Sequence, residues 1–478
     1  MHLINRRTQW NGGGSHSATI ARAVTRQGLA IPELRAALDG RVISPGDADY
    51  DAARSLFYGD MDNRPMVIIR PLDAAEVAAV IDLARQTGLP LAVRSGGHSA
   101  AGYSVVDGGI VLDLSCMKAL ELDLEARTAW AESGLTAGEY TAAVGEHGLV
   151  TGFGDTGSVG IGGITLGGGI GYLVRRYGLT IDSLLAAEIV TADGSILRVD
   201  NDDHPDLFWA LRGGGGNFGV VTRFKFQLHE LDQIMGGMLV LPATPEVVAG
   251  FMTLAEAAGE DLSTIANVMS APPMPFLPPE VHGKLILMAM MVYAGPLEDA
   301  KLALAPFRAL AAPLADMLRP MRYAEMFPEE EGGYHPTAIG HNMFIKHVDL
   351  NTAETIVRFL EASDAPIRVA QLRALGGVLA RVPEDATAYA HRKSPIMVNL
   401  AAFYSTPSEK ASRQRWIEEF AEAIDQGDPG VYTNFMGDEP ERVRAAYPGA
   451  TWERLVQIKQ RYDPRNLFRL NQNIPPAG

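Results

Sequence analysis

The chain has a single cysteine, Cys116, among 478 residues. That excludes an intrachain disulfide and a cysteine-rich zinc site. Cys116 follows the run IVLDLS, where a small buried hydrophobe is expected. Positive charge is also scarce: 41 Lys and Arg against 57 Asp and Glu leave a net charge of −16. Binding to nucleic acid needs clustered cations, so no nucleic-acid partner is expected. Long apolar runs are missing too. LILMAMMVYAG, at 285–295, falls short of the ~20 residues that cross a bilayer. The opening stretch, MHLINRRTQWNGGGSHS, has neither the apolar core nor the cleavage pattern of a signal peptide. A soluble, cytoplasmic protein with no membrane partner is the expectation. Internal repeats and low-complexity linkers are absent as well.

Apolar side chains and glycine are what the chain has in quantity. Apolar residues make up 47% of it, enough for a large core. Its length predicts two or three domains at roughly 100–200 residues each. Asp73 and Glu76 open a helix carrying Val77, Val80, Ile81 and Ala84 at helical spacing, which Gly88 stops. LAVR and IVLDL are short strands on either side of a turn, RSGGHS, that presents His98. LELDLEARTAWAESG alternates like a strand pair, and Thr136 and Glu139 form a capping box. AAEIVTADGSILRVD reads as a hairpin turning at Asp193-Gly194. Between residues 230 and 430, strand candidates (KLILMAMMVYAG, PIMVNLAAFYS) mix with helical stretches (PLEDAKLALAPFRALAAPL, PSEKASRQRWIEEFAEAID). That pattern predicts a sheet with helices on one face. A last helix, TWERLVQIKQRY, leads into the tail DPRNLFRLNQNIPP.

Three glycine clusters bear on function: RSGGHS, GFGDTGSVGIGGITLGGGIG at 152–171, and RGGGGNFG at 212–219. Neither familiar nucleotide loop accounts for them. Gly214, Gly216 and Gly219 match G-x-G-x-x-G, but there a helix precedes the glycines and a strand follows, the reverse of a dinucleotide-binding turn. No G-x-x-x-x-G-K-[ST] run exists, which excludes a P-loop. The remaining reading is close approach of backbone to ligand or to backbone, and RSGGHS suits a nest of successive N–H groups that cradles a pyrophosphate.

RSGGHSAAGYSVVDGGIVLDL, GSVGIGGITLGGGIGYLVRRYGL, DLFWALRGGGGNFGVVT and YDPRNLFRLNQNIPP, in that order, resemble the FAD-linked oxidases of the vanillyl-alcohol oxidase / p-cresol methylhydroxylase superfamily. The tail resembles the berberine-bridge-enzyme-like branch. The resemblance covers about residues 60–228 and 425–478. It implies an α+β, two-domain p-cresol-methylhydroxylase-type fold. Residues 1–228 and 430–478 would form a discontinuous FAD-binding domain. Residues 229–429 would form an inserted substrate domain of antiparallel sheet covered by helices.

The resemblance further implies that His98 bonds covalently to the flavin. A neutral imidazole nitrogen is a competent nucleophile near pH 7. Cofactor contacts are implied for Arg94, Ser95, Gly96, Gly97 and Ser99, for Val159, Gly160, Gly163 and Gly168, and for Val220, Asn471 and Asn473. Relatives often carry a second link from a cysteine; Thr156 stands at the matching position, so one covalent bond is expected. Ile164 stands where several relatives have a histidine, and Val159 where a small aliphatic residue gates oxygen. Substrate oxidation would be hydride transfer to flavin, with a base removing a proton. Tyr432 is the first candidate base, with Asn434 expected on the same strand face. Tyr404 is a second, and His341 and His347 are within possible reach. The leading expectation is an oxidase acting on the C–OH or C–N group of a small organic molecule, with oxygen reduced to hydrogen peroxide. A flavin dehydrogenase and a non-catalytic nucleotide-binding protein stay open as alternatives. Met, Phe and Pro in PMPFLPP, LILMAMMVY and VNLAAFY tilt the substrate expectation toward a hydrophobic or aromatic metabolite over a sugar.

Overall fold

A computed structural model describes residues 24–25, 28–328, 333 and 335–477. The opening stretch, residues 1–17, lies outside the described residues. Two small sheets form first. Strands β1 (Val42–Ile43), β2 (Val67–Ile69), β3 (Leu91–Arg94) and β4 (Ile110–Asp113) make a four-stranded sheet in the order β1-β2-β4-β3. Its inner strands are parallel, and residues on both faces are buried, so they read as continuous apolar runs. Helix α1 (Ala74–Thr87) packs on it. The Asp73 side chain accepts from Glu76 N at its start, and Gly88, at φ +70°, ends it.

The second sheet joins β5 (Leu120–Asp123), β6 (Thr128–Glu132), β7 (Leu184–Val190), β8 (Ile196–Val199) and β9 (Val220–Gln227) in the order β8-β7-β9-β6-β5. Helices α2 (Ala137–Gly145), α3 (Ile161–Leu166) and α4 (Pro205–Leu211) surround it. The capping box of Thr136 and Glu139 starts α2, and Thr191–Ser195 closes the β7–β8 hairpin.

Residues 234–403 then build an eight-stranded antiparallel sheet. Its strands are β10 (Ile234–Pro242), β11 (Leu262–Ser270), β12 (Leu285–Tyr293), β13 (Ala315–Asp316), β14 (Arg319–Met321), β15 (Ala338–Ile345), β16 (Arg368–Ala374) and β17 (Ile396–Phe403). The order is β13-β10-β12-β11-β16-β17-β15, with β14 also on β10. Alternate residues such as Leu287, Ala289, Leu372 and Val398 are buried against α5 (Pro245–Ala257), α6 (Leu297–Arg308), α7 (Leu350–Ala362) and α8 (Pro407–Ile424). The opposite face carries Phe344 and Met397, which pack on Ile170, Val174 and Ile181 of the earlier part of the chain. This is the expected α+β arrangement.

Helix α9 (Ala450–Tyr462) returns the chain to the smaller sheets. The fully buried Lys459 Nζ donates to Asp463 Oδ2 at 2.7 Å, Asn217 O at 2.8 Å and Phe468 O at 2.9 Å. Asn217 answers from the third glycine cluster, donating to Gln472 O and accepting from Ile474 N. These bonds tie the tail to the glycine loop. One expectation fails here: Cys116 is exposed, because it ends the turn after β4 instead of continuing the strand. Among the described residues no helix is long and apolar enough to cross a membrane.

Candidate active site

All three glycine clusters and the tail meet around one cavity of about 350 Å³. The turn after β3 forms one wall. An added Cβ on Gly96 would lie 2.2 Å from Gly160 N, so only two glycines allow these backbones to touch. Ser95 Oγ locks the contact, donating to Ser133 O at 2.6 Å and accepting from Gly162 N at 3.2 Å. The amides of Gly96, Gly97 and Ser99 make no hydrogen bond among the described residues. They form a nest of the kind that cradles anionic groups. Apart from His98, the only ionisable carboxylate or cation lining the cavity, among the described residues, is Asp155. A phosphate here would meet main-chain N–H groups and neutral side chains such as Ser99 and Ser104, with no lysine or arginine on the wall among the described residues.

His98 is held on two sides. Its ring stacks on Phe57 with centroids 4.3 Å apart, and its Nε2 is 2.9 Å from Ser158 Oγ. Thr156, Val159 and Ile164 all line the cavity. At another stretch of wall lie Gly216, Val220, Asn471 and Gln472; Asn471 Oδ1 and Gln472 Oε1 are buried without a partner among the described residues. A glycine-walled cleft with open amides, orphaned acceptors and aromatic side chains fits a flavin dinucleotide.

The structure brings Ser95, Gly96, Gly97, His98, Ser99, Val159, Gly160, Gly163, Val220, Asn471, Tyr432 and Asn434 to this cavity. It does not bring Arg94, Gly168, Asn473 or Tyr404 to it. Arg94 turns inward and donates to Asp113 Oδ2 at 2.8 Å, which also receives Arg70 Nε at 2.9 Å. Burial would raise the Asp113 carboxyl, but these guanidiniums hold it below its ordinary value. Gly168 sits one layer back, behind Tyr432 and Tyr389. Tyr404 donates to Asp60 Oδ2 at 2.5 Å, beside Lys410. His341 lies against Arg442 and His347 against Asp349, neither lining the cavity.

Tyr432 and Asn434 are not on a strand. Tyr432 precedes a short turn, Thr433–Phe435, which folds the Asn434 amide back onto the Tyr432 oxygen at 2.9 Å. The sequence reading missed Phe57, Tyr58, Tyr103, Asp155 and Phe435, which also line the cavity. These residues sit in loops without a repeating pattern, so only the fold gathers them. No residue of PMPFLPP, LILMAMMVY or VNLAAFY lines the cavity; apolar positions such as Leu287 and Leu400 are spent on the helix-facing core.

Comparison with known proteins shows the family. A family profile described as "FAD binding domain" matches residues 65–200, and one described as "Berberine and berberine like" matches residues 431–475. An uncharacterized FAD-linked oxidoreductase of Bacillus subtilis, YgaK, is 31% identical over 92% of this chain and 97% of its own. (R)-6-hydroxynicotine oxidase of Paenarthrobacter nicotinovorans is 30% identical over 92% of this chain and 98% of its own. The crystal structure of 6-hydroxy-D-nicotine oxidase from Arthrobacter nicotinovorans superposes with a TM-score of 0.80 at 27% identity, covering 91% of this chain and 98% of that one. The chain belongs to the berberine-bridge-like family of FAD-linked oxidoreductases.

Proposed function

We propose that this protein is an oxidase that holds FAD through one covalent bond, at His98, and oxidises a C–OH or C–N group of a small aromatic molecule. Residues 1–228 and 430–478 would serve as the FAD-binding domain and 229–429 as the substrate domain. The observation that carries the reading is the single cavity in which His98, open main-chain amides and Tyr432 meet.

Bound FAD would supply the hydride acceptor for the substrate, with molecular oxygen as the final oxidant and hydrogen peroxide as its product. Around it, the amides of Gly96, Gly97 and Ser99 would face the pyrophosphate, and Asn471 and Gln472 offer hydrogen-bonding edges. The backbone contact of Gly96 with Gly160 fixes the turn that presents these amides. Tyr432 would accept the proton that the substrate O–H or N–H group loses, leaving a carbonyl or an imine. Thr156 offers no thiolate, in keeping with a single link. Tyr58, Tyr103 and Phe435 line the cavity and support an aromatic substrate, which can stack on such rings. The likeness to 6-hydroxynicotine oxidase along nearly the whole chain supports a ring-bearing amine in particular.

Intact mass measurement of protein made with ample riboflavin tests the link: one added FAD is expected, lost in His98→Ala. Peroxide release over a panel of cyclic amines, phenolic alcohols and sugars tests the reaction. Activity confined to sugars would overturn the substrate class. Reduced protein that re-oxidises in air only over many minutes would replace the oxidase by a dehydrogenase.

A further inference from the structure

Three nitrogens surround the buried Tyr432 phenol oxygen: Gly169 N at 3.0 Å, Ile170 N at 3.1 Å and Asn434 Nδ2 at 2.9 Å. The first two are main-chain amides and can only donate. The third is fixed by its other contact, for Asn434 Nδ2 also lies 3.1 Å from Ile164 O, which can only accept. Flipping the amide would set two oxygens against each other. All three groups are therefore donors, and no acceptor for the Tyr432 proton lies among the described residues. A neutral phenol has two lone pairs to offer and a proton to place. A phenolate has three acceptor sites and no proton.

We propose that Gly169, Ile170 and Asn434 form an anion cradle that makes Tyr432 easier to ionise than the buried tyrosines lacking such donors, with Asn434 as a positioning residue. This rests on the assignment of Tyr432 as the base. Such a cradle acts by the same physics as an oxyanion hole, with fixed N–H dipoles aimed at a localised charge.

The surrounding backbone is shaped for this task. Gly168 and Gly169 have φ of +124° and +85°, a region L side chains rarely adopt. An added Cβ on Gly169 would lie 2.0 Å from Thr180 Oγ1, and one on Gly167 would lie 2.0 Å from Asn434 Oδ1. From the opposite side, Asn342 Oδ1 accepts from Tyr432 N at 2.6 Å and holds the main chain that carries the ring. Burial is the largest influence on the phenol and raises it above its ordinary value; the three donors and then the Arg373 guanidinium pull against it. Tyr389 is the other titratable group against the ring, with centroids 6.2 Å apart.

The test uses the full chain with its flavin, labelled with 13C at tyrosine Cζ and titrated by NMR, with Tyr432 assigned from Tyr432→Phe. Tyr432 is expected to ionise at the lowest pH of the buried tyrosines, below Tyr140 and Tyr389, which no N–H donor touches. Asn434→Ala should raise its midpoint by about one pH unit, and Asn434→Asp by more, since it replaces a donor with a negative acceptor. The acid limb of kcat/KM should move by the same amounts. Ionisation of Tyr432 together with Tyr140 and Tyr389 in the unmodified protein would overturn the cradle, whether or not the variants fold. So would a midpoint indifferent to Asn434. The titration needs no substrate: a low, Asn434-dependent midpoint in a protein that releases no peroxide would sink the oxidase reading and leave the cradle standing.

Discussion

Along the wall that carries His98, the cavity is faced largely by main-chain amides and glycine carbons. The inner face of the eight-stranded sheet is built instead around side-chain amides, none of which lines the cavity. Asn342, Asn399, Gln371 and Asn267 stand opposite one another on four adjacent strands, a continuous row across the sheet. Gln371 Nε2 donates to Asn267 Oδ1, and Gln371 Oε1 accepts from Arg373 Nε and Nη2. Arg373 in turn reaches Asp155 at 2.5 Å. The two regions are thus held together by different means. A backbone wall is indifferent to most side chains but intolerant of any Cβ at its contacts. A side-chain face tolerates change of shape but depends on each polar partner.

The sharpest way to break this contrast is Gly96→Ala. Its Cβ would meet Gly160 N at 2.2 Å, and neither backbone can yield without opening the turn that presents His98. Flavin content, read as the visible absorbance per chain, is expected to fall more than about tenfold. Retention of full flavin content would show that the wall is softer than its contacts imply.

The same contrast explains which features are legible in the sequence. Gly96 and Gly160 are legible because a close backbone contact demands glycine, and Gly97 because its φ of +73° does. The caps at Asp73 and Thr136 and the hairpin at Asp193-Gly194 are legible for similar local reasons. Arg94 misleads because its partner, Asp113, lies on a neighbouring strand, and a sequence does not say which way a guanidinium turns. Tyr404 misleads for the same reason; Asp60 holds it far along the chain but near in space. Phe57, Tyr58 and Phe435 give no signal, since a lone aromatic in a loop has no period to stand out from.

The second test asks whether side chains also matter within the backbone-built half. Lys459→Met leaves Asp463 buried, with Leu467 N and Phe468 N as its remaining donors. Removing one partner of a buried ion pair costs about 3–5 kcal/mol, so a clear fall in thermal midpoint is expected. A fall in stability with flavin binding preserved would confine the tail's role to folding. Next in size is Gln371→Met, which takes one acceptor from Arg373 and leaves it on Asp155. The cost is about 1–3 kcal/mol, expected as roughly a tenfold fall in kcat/KM with flavin content unchanged. Equal loss of flavin would erase the distinction between the two regions.

The smallest effect concerns the one carboxylate that steadies the backbone wall from behind. The Asp113 carboxyl is held below its ordinary range in the folded chain, whereas unfolding restores it to about 3.9. A group with a depressed folded value binds its proton more readily when unfolded. Its contribution is therefore complete above about pH 5 and fades as pH falls through the folded value. Denaturant midpoints measured from pH 6 down to pH 3 should decline. Asp113→Asn should flatten that decline by about 1.4 kcal/mol for every tenfold by which the fold favours the ionised carboxylate. The variant will start from a lower stability, because Arg70 and Arg94 lose their charged partner, so the slope and not the midpoint carries the answer. An unchanged slope would mean that other carboxylates govern the acid limb and that the turn bearing His98 is steadied by its own backbone contacts alone.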